Sequence, residues 1–163
     1  MKKLSLVILL SAMVIVAFAR QHKHKKKAAL TNHIVSVSLR HTACYGRCPI
    51  YTLELNRNGM ATYTATLFNP DTGVFTKDIG VTKAMEIINQ FNNYRIDTCK
   101  DMYNSRHTDL PGTIFTIKYD TTTKTIMDAS AGPPFFEQLR ALMDGLITKK
   151  IDNSWHRVPE KQK

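Results

Sequence analysis

The sequence predicts an α+β fold: an antiparallel sheet of about six strands in two hairpin groups, with two amphipathic helices packed on one face. Three observations lead there. Apolar and polar residues alternate with a period of two through much of residues 33–79 and again through 113–128. Two segments, 82–94 and 135–147, repeat their apolar residues at helical spacing instead. The balance of 43% hydrophobic and 22% charged residues in 163 suits one compact core, with too little chain for two ordinary domains.

The elements follow in order. His33 to Thr42 alternates in part, with Val35, Val37 and Leu39 on one side, and reads as a strand. Tyr51, Leu53 and Leu55 share a face of the next strand, and Ala61, Tyr63, Ala65 and Leu67 share a face of the one after. Arg57-Asn58-Gly59 lies between them. A two-residue loop would pair Leu55 with Thr62 and mix the faces; a three-residue loop pairs Leu55 with Ala61, matches the apolar rows and puts Gly59 at the left-handed position. Asn69 to Gly73 is a turn cluster, and Val74 to Ile79 is a fourth strand.

Thr82 is placed to cap a helix whose apolar stripe is Ala84, Ile87, Ile88, Phe91 and Tyr94. Residues 97–112 carry no period. Thr113 to Asp120 and Lys124 to Asp128 form the second hairpin, and Gly132-Pro133-Pro134 opens a helix striped by Phe135, Phe136, Leu139, Leu142, Met143, Leu146 and Ile147. The expected organisation is an export segment (1–19), a basic disordered tail (20–32), one domain (33–148) and a polar tail (149–163) that could pack back or fray.

The net charge of +10 is uneven. Seven of the 23 cations precede Ala28, leaving 16 against 13 acids, so a globally basic nucleic-acid-binding fold is not indicated. Lys2 and Lys3 precede an apolar run, Leu4 to Val16, that ends in Ala17-Phe18-Ala19, the pattern of a cleaved secretory signal. Leu4 to Ala19 would extend about 24 Å as a helix, short of a stable transmembrane span. No Cys follows to carry a lipid. The run Arg20, Lys23, Lys25, Lys26 and Lys27 opposes translocation, which makes an uncleaved membrane anchor the alternative; in either case it suits contact with an anionic surface. His22 and His24 lie among these cations, which disfavour metal binding.

Cys44 and Cys48 flank Tyr45-Gly46-Arg47. In an oxidising compartment they suit a structural disulfide, contributing about 2 kcal/mol by loop closure. A dithiol redox pair, free thiols, and a zinc site recruiting His41 with Cys99 or His107 compete with it. Cys99 is left over: a small buried side chain, a reactive thiol or an intermolecular bridge.

The run Cys44-Tyr45-Gly46-Arg47-Cys48-Pro49-Ile50-Tyr51 resembles the Cys-x-Gly-x-Cys-Pro-x-Tyr hallmark of a bacterial exported family catalogued as domain of unknown function 6438. Thr108-Asp109-Leu110-Pro111, Asp128 and the Gly-Pro opening of the last helix extend the resemblance over about residues 33–147. It implies the fold, an exported location and an unpaired Cys99, and no known activity.

No Gly-x-Ser-x-Gly elbow, phosphate loop, zincin helix or calcium loop occurs. The aperiodic stretch gathers Asp101, Tyr103, Arg106, His107 and Asp109. His107 and Asp109 could act as a base and its orienter in a hydrolase, with Arg47 holding an anion; equally, Asp109 could pin backbone amides. No catalytic residue, cofactor or resident metal is assigned. The expected function is a small non-enzymatic binding domain of the cell envelope, exported to the periplasm or beyond, with an envelope protein or polymer as partner. Its binding residues would be Tyr45, Arg47, Tyr51, Arg106, His107 and Asp109.

Overall fold

A computed structural model describes residues 33–105, 109–147 and 151–159. The expected export segment and basic run (1–32), and the expected roles of Arg106, His107 and Thr108, lie outside them. In chain order the elements are β1 (Ile34–His41), β2 (Ile50–Asn56), β3 (Met60–Leu67), β4 (Gly73–Asp78), α1 (Val81–Asn93), a short 3-10 turn (Ile96–Thr98), β5 (Met102–Tyr103), β6 (Thr113–Tyr119), β7 (Thr123–Asp128), α2 (Phe135–Asp144) and β8 (His156–Arg157). The strands form one sheet in the order β5-β7-β6-β1-β2-β3-β4-β8.

The alternation read from sequence becomes a continuous apolar row. Ile126, Phe115, Leu39, Leu53, Tyr63 and Phe75 are successive cross-strand partners from β7 to β4, and all are buried. Their opposite neighbours are mostly hydroxyl or charged residues: Thr125, Thr116, Ser38, Glu54, Thr62 and Thr76 form a matching row. One face is therefore apolar enough to need a cover, and the helices supply it through Ala84, Ile87, Ile88 and Phe91 of α1 and Phe136, Leu139 and Met143 of α2. The β2–β3 turn has the expected register, with Leu55 opposite Ala61 and Leu53 opposite Tyr63, and Gly59 has φ 98°.

Three expectations are corrected. The sheet has eight strands rather than about six, and β5 runs parallel to β7, so it is mostly but not wholly antiparallel. Both added strands, β5 and β8, have two residues, too few to display a period. They lie at the two outer edges, where a short strand leaves little backbone for another chain to pair with. The second correction is the start of α1: Gly80 is the N-cap, its N–H bound to Asp78 Oδ1 at 2.8 Å, and Thr82 lies inside the first turn. The third is α2, which stops at Asp144; Leu146 and Ile147 pack against the core from the turn that follows.

The segment 151–159 returns to the sheet. Trp155 is 6% exposed, its ring centroid 6.2 Å from that of Tyr63, and Val158 N–H donates to the Val74 carbonyl. An indole is large enough to secure an otherwise polar segment by burial alone.

Candidate functional site

The inner-face row next to the β1–β2 connection breaks the apolar pattern. Asp128, Thr113, His41 and Tyr51 are successive cross-strand partners on β7, β6, β1 and β2. Helix α2 runs over them and presents Arg140 and Asp144, four residues apart and hence on one side of the helix. Arg140 Nη1 donates to Thr113 Oγ1 at 3.1 Å and lies 3.7 Å from Asp128 Oδ2. Asp128, 2% exposed, also accepts the N–H groups of Ala131 (3.0 Å) and Gly132 (2.8 Å) through Oδ1. That fixes the turn into α2. A Cβ on Gly132 would stand 2.4 Å from the Phe136 ring, so the close approach there requires glycine.

At the other end of α2, His41 Nε2 lies 3.1 Å from both Asp144 oxygens, and Tyr51 Oη donates to Asp144 Oδ1 at 2.9 Å. The rings of His41 and Tyr51 are 4.5 Å apart. A carboxylate at a helix C-terminus faces the negative end of the dipole, and these two donors offset that. Burial first, then the Asp144 charge and hydrogen bond, push the Tyr51 phenol far above its ordinary value, so it keeps its proton and is no nucleophile.

Among the described residues no buried side-chain polar atom lacks a partner. The bonds of the row staple both ends of α2 to the sheet. One pH dependence follows. A folded-state pKa raised above the unfolded value of about 10 gives stability that is complete below pH ~10 and declines above it. Urea midpoints should fall between pH 8 and 10.5, and Tyr51→Phe should reduce that fall while costing about 1 kcal/mol at pH 8 for the lost hydrogen bond. An identical fall in both proteins would contradict the assignment.

Above this row, the strands end in an exposed tip. Cys44 and Cys48 are joined by a disulfide, with Cα atoms 5.7 Å apart. The hook they close leans on the loop before β6: Thr42 and Gly112 exchange backbone and hydroxyl bonds (Thr42 N–H to Gly112 O, 3.0 Å; Gly112 N–H to Thr42 Oγ1, 2.9 Å), and Tyr45 N–H reaches the Asp109 carbonyl at 3.3 Å. The Cys-x-Gly-x-Cys and Asp-Leu-Pro elements are therefore neighbours in space. Tyr45 is 92% exposed and Leu110 51%.

On the other side stands the β3–β4 loop. Phe68 is 46% exposed and has φ 57°, a left-handed backbone that bulky residues seldom adopt, at a cost of about 1–3 kcal/mol. Asn69 holds the loop there, its Nδ2 donating to the Ile50 and Leu67 carbonyls at 2.8 Å each while its Oδ1 accepts from Tyr63. The Arg47 guanidinium lies over the Phe68 ring, 5.6 Å from its centroid.

The sequence-derived candidates thus separate. Tyr45, Arg47 and Asp109 share the tip, while Tyr51 lies inside, bound to Asp144. Asp109 is exposed, and the His107 and Arg106 of the base–orienter reading fall outside the described residues. The zinc reading is corrected: sulfurs joined to each other offer no thiolates, and among the described residues no group of three or more His, Cys, Asp or Glu side chains could hold a metal. Cys99 is half-buried against the core, and burial raises its thiol pKa, which disfavours the reactive-thiol reading. Sequence reasoning missed Arg140 and Asp144, and also Phe68. The first two look like ordinary solvated helix charges, although their four-residue spacing was a usable signal.

Comparison with known proteins gives one finding. A family model described as a domain of unknown function, DUF6438, matches residues 35–147, which include the polar row, the hook and the Asp109–Pro111 loop. No curated protein and no solved structure gives a match.

Proposed function

We propose that this chain, which belongs to the DUF6438 family, is an exported, non-enzymatic domain that recognises a partner of the cell envelope through its disulfide hook. One observation carries the reading. The molecule holds an almost fully exposed tyrosine on a covalently closed loop, two residues from an arginine whose guanidinium lies over the ring of a phenylalanine with a left-handed backbone. Tyrosine and arginine are the types that dominate recognition hot spots, and a loop already ordered loses little freedom on binding. Backbone strain kept at an exposed position, where it adds nothing to the core, is common at binding sites. The polar row beneath the hook staples α2 to the sheet and serves as its platform.

The export part of the reading rests on the signal-like segment Leu4–Ala19 and on the disulfide, which persists in oxidising compartments. The double variant Tyr45→Ala/Arg47→Ala should melt within about 2 °C of the parent, since exposed substitutions usually change stability by under about 0.5 kcal/mol. It should also lose capture of the partner from a native envelope fraction. Capture at the parental level would overturn the proposal.

A further inference from the structure

We propose that the cleft between α1 and α2 binds a neutral saccharide, at a site separate from the hook. The cleft encloses about 730 Å³, within the range of small-molecule sites, and such sites recur between packed helices. It is the seam between two helical stripes. Lys83, Glu86, Ile87 and Gln90 line it from α1, with Tyr94 just past the end of that helix. Gln138, Ala141 and Leu142 line it from α2 at the same spacing of three and four residues. Ile87 is buried at the floor, while the other lining residues are exposed or half-buried, so the cleft opens away from the sheet. One end is held in shape: the Tyr94 ring stacks on Phe135 with centroids 4.8 Å apart and planes 4° from parallel, and its hydroxyl donates to Gln138 Oε1. Further along α2, the small side chain of Ala141 leaves room that a larger one would fill.

The lining selects the ligand's chemistry. Gln90 and Gln138 are the two glutamines of the described residues, and both lie here. An amide donates and accepts at neighbouring atoms, which matches adjacent sugar hydroxyls, each a donor and an acceptor as well. Ile87, Leu142 and the Tyr94 ring supply apolar surface for the C–H faces between those hydroxyls. The charged lining residues, Lys83 and Glu86, are bonded to each other at 3.1 Å, so an ionic ligand would compete with a partner already in place. An acyl chain or an apolar helix would cover both amides and this ion pair without offering any of them a partner, a cost that a polyhydroxylated ligand avoids.

The test is an NMR titration of the isotope-labelled full chain with cellobiose, N,N′-diacetylchitobiose, digalacturonic acid and hexanol. At least one of the two neutral disaccharides should give saturable shifts at residues 83–94 and 138–142, and should bind more tightly than the acid or the alcohol. Gln90→Ala should weaken that binding about twofold to tenfold, the range of one net hydrogen bond. Ala141→Leu, which fills the cleft, should abolish it, and thermal melts should show both variants folded. No saturable shift with either disaccharide, or binding undiminished by Ala141→Leu, would overturn the proposal. Tighter binding of hexanol or digalacturonic acid would overturn it in favour of an apolar or an anionic ligand. Shifts at these residues on dilution of the protein alone would assign the cleft to a second copy and overturn it too. None of the lining residues lies on the hook, so the recognition reading is decided separately, by the capture experiment.

Discussion

Asp128→Ala should be among the most damaging single substitutions in this protein, lowering stability by about 3–5 kcal/mol. The carboxylate is 2% exposed and does three things at once: it accepts two backbone N–H groups at the entry to α2 and faces the Arg140 guanidinium. Its loss leaves two buried amides without an acceptor, each costing more than the bond itself was worth, and takes from Arg140 the buried one of its two carboxylate neighbours, the exposed Glu137 remaining. Against a typical total of about 5–15 kcal/mol, the variant should be marginal, with a melting temperature lower by roughly 10–20 °C. Asp128→Asn keeps an acceptor for the amides and loses only the charge, so it should sit between the two. Calorimetric melts of the three proteins check the order, and an alanine variant that melts with the parent would remove the staple from the account.

The second large effect is at the hook. Replacing both Cys44 and Cys48 with serine should cost about 2 kcal/mol, the loop-closure entropy of so short a ring. The body should still fold at ordinary temperature, because neither the apolar row nor the polar row depends on those sulfurs. The hook itself would lose order, since between Ala43 and Pro49 the disulfide is backed by the bond from Tyr45 to Asp109 and the placement of Arg47 over Phe68, the Thr42–Gly112 bonds holding only its base. Denaturant midpoints measure the first effect. Amide exchange at residues 43–49 measures the second.

Much of this fold was legible from residue order. The Leu53 and Tyr63 alternation fixed a register that the structure reproduces, because a one-residue slip would have put threonines into the core. The two helices were legible for the same reason, as stripes that need a sheet to cover. Met102–Tyr103 and His156–Arg157 were not, since two residues carry no period and their pairing depends on long-range packing such as the burial of Trp155. At the site, the cysteine spacing pointed to the hook and its Tyr45 and Arg47. Phe68 was hidden because nothing in its neighbourhood announces a left-handed backbone; Asn69, two strands away from the hook in sequence, creates it through contacts with Ile50. The row Asp128, Thr113, His41 and Tyr51 was hidden because its members are up to 87 residues apart in the numbering and meet only through the register of four strands.

The most direct measurement places a photo-reactive phenylalanine analogue at position 45 in the full chain, in its native cells, with the same analogue at exposed Asp120 as the control. Illumination should give one discrete adduct from position 45 and none from position 120, and serine at both Cys44 and Cys48 should abolish it while the protein remains folded. Adducts of the same pattern from both positions, or an undiminished adduct without the disulfide, would contradict a recognition surface built on the closed hook.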